Sequence, residues 1–223
     1  MIEIITATRL SEKDFWDKSA LGISLKRVAY NNNLALAAAF ENQRGLSEIY
    51  NERIPAGDPN NIIVFIHDDV WIDDCFFAER IIEGLKSYDV LGIAGSQRTV
   101  PFQPGWGYTD KNFTMDTGNL SGLIAHGEQA LGQICFFGAV PADCELLDGV
   151  FLAARKDVLI NNKVLFDSQF KFHFYDLDFC RTARQRGLRL GTWAICLTHQ
   201  SSGAFGSPDW VKSYHAYIEK WGS

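Results

Sequence analysis

The chain has 223 residues, a formal net charge of −6 and five cysteines. That length fits one large domain or, less economically, two small ones; a single domain over residues 1–223 is the reading taken, and the acidic balance without a Lys/Arg cluster argues against a nucleic-acid binder, because phosphate neutralisation needs clustered cations. No apolar run approaches the roughly 18 residues of a membrane span, and MIEIITATRLSEKD lacks the basic-then-apolar pattern of a signal peptide, so no transmembrane segment and a cytoplasmic location are expected.

In chain order, Ile2 to Thr6 reads as a short strand and Ser11 as the N-cap of a helix. Leu34 to Phe40 is an apolar run open to either strand or helix; its length and the Glu-Asn-Gln-Arg-Gly after it favour a strand. Leu46 to Ile54 reads as a helix closed by Pro55-Ala56-Gly57. Ile62 to Ile66, β-branched and apolar on both faces, has the pattern of a fully buried strand. Asp73 or Asp74 then caps an amphipathic helix to about Lys86, and Val90 to Ala94 is the next strand, which makes a βαβ unit of a parallel sheet. Arg98 to Asn119, rich in Gly, Pro and aromatic residues, is a long loop of the lid or binding kind. Gln133 to Phe137 and Val150 to Ala154 are strands. Asp176 to Arg186 is a helix stopped by Gly187, Leu190 to Leu197 a late strand, and Pro208 to about Trp221 a closing helix. The five cysteines, Cys75, Cys135, Cys144, Cys180 and Cys196, form no C-x-x-C pair, which reads most of them as buried, reduced small hydrophobes.

Four segments carry chemistry. In FIHDDVWIDD, a buried strand empties into His67-Asp68-Asp69. Residues two apart on extended backbone share a face, so His67 and Asp69 point the same way, and imidazole with carboxylate suits Mg²⁺ or Mn²⁺. Adjacent carboxylates at a buried strand end are unfavourable unless a cation offsets their repulsion. In ELLDGVFLAARKDVL, Asp148-Gly149 is either a plain turn or a place where the backbone approaches a ligand. In FDSQFKFHFYDLDFC, Asp176 and Asp178 open a helix. The helix dipole accounts for one of them, and a carboxylate at a helix start in a cleft is well placed as a general base; His173 reads as a packed ring. In THQSSGAFGSPDW, His199 follows a strand on the same rim as Asp69 and is a reasonable third metal ligand, while Ser201-Ser202-Gly203 could cradle a phosphate through backbone N–H groups.

Taken in this order, the four segments resemble the GT-A fold nucleotide-sugar glycosyltransferases of the inverting, family 2-like group. The likeness is nearest to the F-x-H-D-D-V subgroup that includes streptomycin-biosynthesis-type enzymes. The resemblance implies an α/β/α sandwich with a mostly parallel central sheet. It places Asp69 on the metal position of a DxD-like motif, with His67 where the first Asp usually stands and Asp68 between them. YDLD falls on the family's E-D-x-D segment, with Tyr175 in place of Glu, Asp176 as catalytic base and Asp178 as second carboxylate. His199 matches the late metal-binding His. Asn51 would line the nucleotide pocket, Thr6-Ala7-Thr8 would face the nucleobase, and Glu41, with Asn42, is the nearest acidic candidate after the second strand. The implied reaction moves a sugar from a nucleotide-diphosphate donor to a sugar, lipid-linked or small-molecule acceptor, with Mn²⁺ or Mg²⁺ stabilising the leaving diphosphate. Asp148 and Gly149 would then meet sugar hydroxyls, and Trp106 and Tyr108 in the long loop would stack on a ring and exclude water. Rival readings are a degenerate nucleotide-sugar-binding module and a nucleotidyltransferase. TATRLSEKD lacks the Gly-rich, basic loop of the latter. A metal-dependent phosphohydrolase fits less well, because its His and Asp come from helices.

Overall fold

A computed structural model describes residues 1–201, 203 and 205–222. The chain begins β1 (Ile2–Ala7), α1 (Glu12–Lys18), α2 (Ala20–Arg27), β2 (Leu34–Ala39), α3 (Leu46–Arg53) and β3 (Ile62–Ile66). It continues β4 (Val70–Ile72), α4 (Phe77–Gly84), β5 (Val90–Gly92), β6 (Ala94–Ser96), β7 (Leu120–His126) and β8 (Gln133–Gly138). The last third is β9 (Ala142–Asp143), β10 (Leu146–Leu147), β11 (Phe151–Arg155), α5 (Lys156–Asn161), α6 (Tyr175–Gln185), β12 (Leu190–Thr192), β13 (Leu197–His199) and α7 (Pro208–Trp221).

The central sheet runs β2-β1-β3-β11-β5-β12-β9; five of its seven strands run the same way, as expected, while β11 and β9 run against them, so three of its six pairings are antiparallel. Its strands alternate between two cores, as period-2 side chains must. Ile5, Ile63, Phe65, Leu152 and Ala154 pack with α3, α6 and α7. Ile4, Val64, Ile66, Phe151 and Ala153 face the other way, onto α1, α2 and α4. Burying a large apolar side chain contributes about 1.5–3 kcal/mol, so these two layers hold the sheet in register.

Several sequence expectations change. β3 and β5 are not neighbours: β11 inserts antiparallel between them. The apolar stretches from 90 and from 190 each break into two strands that serve different sheets, because a second sheet, β10-β6-β7-β13-β4, takes up β6 and β13. α4 starts at Phe77 and ends at Gly84. Asp74 caps the turn before it, accepting from the Phe76 N–H at 2.8 Å and pairing with Arg80, while Asp73 ties down the Thr198 hydroxyl and the Leu131 N–H instead. Helix α2 and strand β7 have no counterpart in the sequence reading. Of the cysteines only Cys144 and Cys180 are buried, and Cys75 and Cys196 are exposed. Ser11 caps α1 and Gly187, at φ +78°, ends α6. Among the described residues no helix is long and apolar enough to cross a membrane.

Asn51 sits on α3, but its side chain is spent on the backbone of Phe166: Nδ2 donates to the carbonyl at 2.7 Å and Oδ1 accepts from the N–H at 2.9 Å. It clamps the loop before α6 and does not line the cavity described below. At the end of the sheet away from that cavity, the fully buried Lys156 reaches Glu3 of β1 at 3.1 Å and donates to the Ala56 carbonyl.

Two outcomes follow. Glu3→Ala leaves the Lys156 charge buried and unpaired, and lowers stability by about 3 kcal/mol, whereas Glu3→Leu with Lys156→Met restores most of it, read by urea denaturation. Asn51→Ala lowers stability by about 1–3 kcal/mol without changing the affinity for a nucleotide ligand; a selective loss of nucleotide affinity would return Asn51 to the pocket.

Candidate functional site

Three local events build one cavity of about 430 Å³ at the carboxyl end of β3. First, β3 stops at Ile66, and His67, Asp68 and Asp69 turn away from the sheet; the His67 N–H bonds to the Val150 carbonyl. Second, β4 pairs antiparallel with β13 in a register that sets Val70 opposite His199, so Asp69 meets His199 across the ladder. Third, β11 pairs with β3 so that Phe151 faces Ile66, which brings Asp148 and Gly149 to the same rim. Helix α6 enters there through Phe174, whose left-handed φ of 63° directs Tyr175 and Asp176 inward.

His67, Asp69 and His199 each offer one ligand atom, all within 4.8 Å of one another. Asp69 Oδ1 is 3.3 Å from His199 Nε2, yet no donor meets it in hydrogen-bond geometry, so a buried acceptor stands without a partner. Burial opposes ionisation of Asp69, but the contact with His199 and the neighbouring imidazole charges outweigh it and hold the carboxyl at about 2. The set of one carboxylate and two imidazoles suits a divalent transition-metal cation, the imidazoles matching Fe²⁺ or Zn²⁺ and the carboxylate Mn²⁺. Asp68 turns toward Thr8, and its pKa is raised chiefly by burial.

Asp176 lies deeper. Burial, reinforced by the charge of Asp148, raises its carboxyl to about 7, and its Oδ2 accepts from the Gly149 N–H at 2.9 Å. Asp148 accepts from Trp106 Nε1 at 2.7 Å and from the Val150 N–H at 2.9 Å. Gly149 has a reason that the sequence did not reveal. A Cβ there would stand 2.5 Å from the Tyr175 hydroxyl and 2.7 Å from the Asp176 Cβ, so the close approach of α6 by itself requires a glycine here.

Of the residues singled out from sequence, Ala7, His67, Asp68, Asp69, Trp106, Tyr108, Asp148, Gly149, Asp176 and His199 line this cavity. Thr6 and Thr8 are buried on either side of Ala7. Glu41 is exposed, at φ 48°, and Asn51 is clamped to Phe166; neither lines it. Asp178, expected as a second carboxylate at the substrate, points away: Oδ1 accepts from Lys220 at 2.7 Å and Trp221 Nε1 at 2.8 Å, so it anchors α7. Ser202 of the Ser-Ser-Gly loop lies outside the described residues, while Ser201 and Gly203 line the cavity.

Sequence reasoning missed His126, which β7 delivers beside His199 with ring centroids 6.0 Å apart, and an aromatic wall of Phe172, Phe174, Phe205 and Trp210. The Phe-x-Phe spacing at 170, 172 and 174 was the available signal; only Phe170 and Phe174 are buried. Among the described lining residues there are four carboxylates, four histidines and neither Lys nor Arg.

The fold is shared with known transferases. The catalytic domain of Drosophila β1,4-galactosyltransferase 7, solved with xylobiose, is 10% identical, with a TM-score of 0.52 over 96% of this chain and 79% of that one. S. aureus TarS is 14% identical, with a TM-score of 0.50 over 97% of this chain. The chain spans 38% of that TarS chain and 64% of a TarS 1–349 chain that is 13% identical at a TM-score of 0.48. At such identities the likeness is one of fold, the GT-A α/β fold that the motifs implied. No curated protein matches the chain in sequence. A family model described as glycosyltransferase-like matches residues 29–216, well over half of the sequence, and the chain belongs to that glycosyltransferase-like family.

Proposed function

We propose that this chain is a metal-dependent glycosyltransferase that moves a sugar from a nucleotide-diphosphate donor to an acceptor hydroxyl with inversion, and that residues 1–223 act as one catalytic domain. One observation carries the reading: four carboxylates and no Lys or Arg among the described residues lining the cavity. A diphosphate entering such a site would meet net negative charge, and only a bound cation reverses the sign. His67, Asp69 and His199 would hold it, and the subgroup with the F-x-H-D-D-V strand end is the family branch this set fits. When bound, the cation supplies Lewis-acid stabilisation of the departing diphosphate.

The rest falls to the chain itself. The Gly149 N–H fixes Oδ2 of Asp176, which leaves Oδ1 to take the proton of the acceptor hydroxyl. A base held at about 7 matches the working pH, which is where proton transfer is most effective. Direct attack by a hydroxyl so activated inverts the anomeric centre. Asp148 fixes Trp106 through its indole N–H, so that ring offers a rigid face for a sugar and helps exclude water. Ala7, flanked by Thr6 and Thr8, marks the nucleobase end. The five free cysteines fit a reducing, cytoplasmic setting.

The second reading, a degenerate nucleotide-sugar-binding module, rests on His67 and Tyr175, which depart from the family pattern. A His-x-Asp…His set would also accept ferrous iron. A thermal-shift panel of UDP-, GDP- and dTDP-sugars with Mn²⁺, Mg²⁺ or Fe²⁺ sorts these. The cognate donor at about 100 times its Kd adds roughly 2.7 kcal/mol of stability, the gain requires Mn²⁺ or Mg²⁺, and Asp69→Ala abolishes it. A donor-induced gain that is unchanged without any metal and in Asp69→Ala would overturn the cation assignment.

Asp176→Asn lowers kcat by on the order of 10²–10⁴-fold while the donor still stabilises the protein; unchanged turnover would remove Asp176 from the chemistry. In the wild type the rate climbs with pH as Asp176 loses its proton, and the bound cation moves that rise below the value of about 7 that the metal-free site shows. Stability runs the opposite way. The folded carboxyl keeps a proton that the unfolded chain has already released, so its contribution is full below about pH 4 and is lost as pH rises through about 7. In the metal-free protein Asp176→Asn flattens that decline.

A further inference from the structure

His67 and Tyr175, the two residues at which the chain differs from the motifs it resembles, touch in the fold. The Tyr175 hydroxyl lies 2.8 Å from His67 Nε2 and 2.8 Å from the Gly149 carbonyl oxygen. A phenol has one proton, and a carbonyl can only accept. The arrangement that satisfies both contacts has Tyr175 donating to Gly149 and accepting from His67 Nε2–H. The lone pair of His67 is then on Nδ1.

We propose that Tyr175 is a positioning residue that holds His67 in the Nε2–H tautomer and so presents Nδ1 as the imidazole's cation-binding atom. The proposal rests on the metal-dependent reading above. Metal-bound histidines commonly donate their second N–H to a fixed acceptor, which sets ring and tautomer. A Glu at 175 could also accept, but it would add a fifth carboxylate beside Asp148 and Asp176; the phenol accepts without a charge. Tyr175 is itself locked, with only 3% of its surface exposed and its ring against Tyr50 and Phe166. The absence of a Cβ at Gly149 leaves room for its hydroxyl. His67 and Tyr175 thus work as a pair: a neutral ligand on the strand end and a neutral acceptor behind it.

The test has two readouts. Long-range ¹H–¹⁵N spectra of histidine-labelled, metal-free protein, with His67→Asn for assignment, report the tautomer of His67 directly. Electron paramagnetic resonance titration with Mn²⁺ alone reports the affinity. The wild type shows the Nε2–H tautomer. Tyr175→Phe loses that preference and binds Mn²⁺ about 10–100-fold more weakly, whereas Tyr175→Gln, whose amide oxygen can accept, keeps the tautomer and most of the affinity. A wild-type Nδ1–H tautomer overturns the proposal and leaves the transferase reading standing, and needs no variant to fold. An unchanged Mn²⁺ affinity in a folded Tyr175→Phe also overturns it. If the wild type takes up no Mn²⁺ although His67 is the Nε2–H tautomer, the metal reading itself falls and takes this role with it.

Discussion

Repulsion among Asp68, Asp69, Asp148 and Asp176 is the constraint on which the site depends. Two unit charges about 4 Å apart interact by about 4 kcal/mol at the effective dielectric of a protein surface, so four carboxylates around one cavity need relief. The fold supplies it in different ways. Asp69 is ionised against His199, Asp148 accepts from Trp106 and Val150, Asp68 turns to Thr8, and Asp176 is held near 7 by burial and by Asp148. Environment thus pushes the pKa values of chemically identical groups apart, Asp69 down and Asp176 up, as the proposed division into cation ligand and base requires.

That separation depends on backbone register. The pairing of β4 with β13 brings residue 69 to residue 199, and the pairing of β11 with β3 brings 148 and 149 to 67. A slip by one residue in either ladder would turn these side chains to the opposite face. The two apolar layers on either side of the central sheet resist such slips, with Phe65 and Phe151 among the largest buried side chains. The rigid sheet therefore also fixes the mutual positions of His67, Asp69 and His199, which the proposed cation role requires.

Much of this was legible from sequence. Ile62–Ile66 announced a buried strand, and its abrupt end in His67-Asp68-Asp69 announced a cost that a cation would offset. Asp176 at a helix start and His199 at a strand end were readable for similar reasons. Other residues were misread because their sequence neighbourhood is uninformative. Asp178 stands two positions after Asp176, and on a helix that rotates it by about 200°, toward Lys220 and Trp221 and away from the cavity. Asn51 is a polar residue on a helix, and only the path of the chain near Phe166 shows what its amide bonds. The aromatic wall gathers rings from positions 172, 174, 205 and 210, which no local window contains.

Local sequence was enough for several elements and for their chemistry: hydrophobic period specifies β3, capping residues specify α1 and α7, and residue type alone marks which side chains can bind a cation or take a proton. Only the tertiary structure decided which of them act together. β11 inserts between β3 and β5, the apolar stretch from 190 divides between two sheets, and His67 meets Tyr175 across 108 positions of chain. Those outcomes come from long-range strand pairing, which depends on how distant apolar faces are buried together and leaves no periodic trace in any single segment.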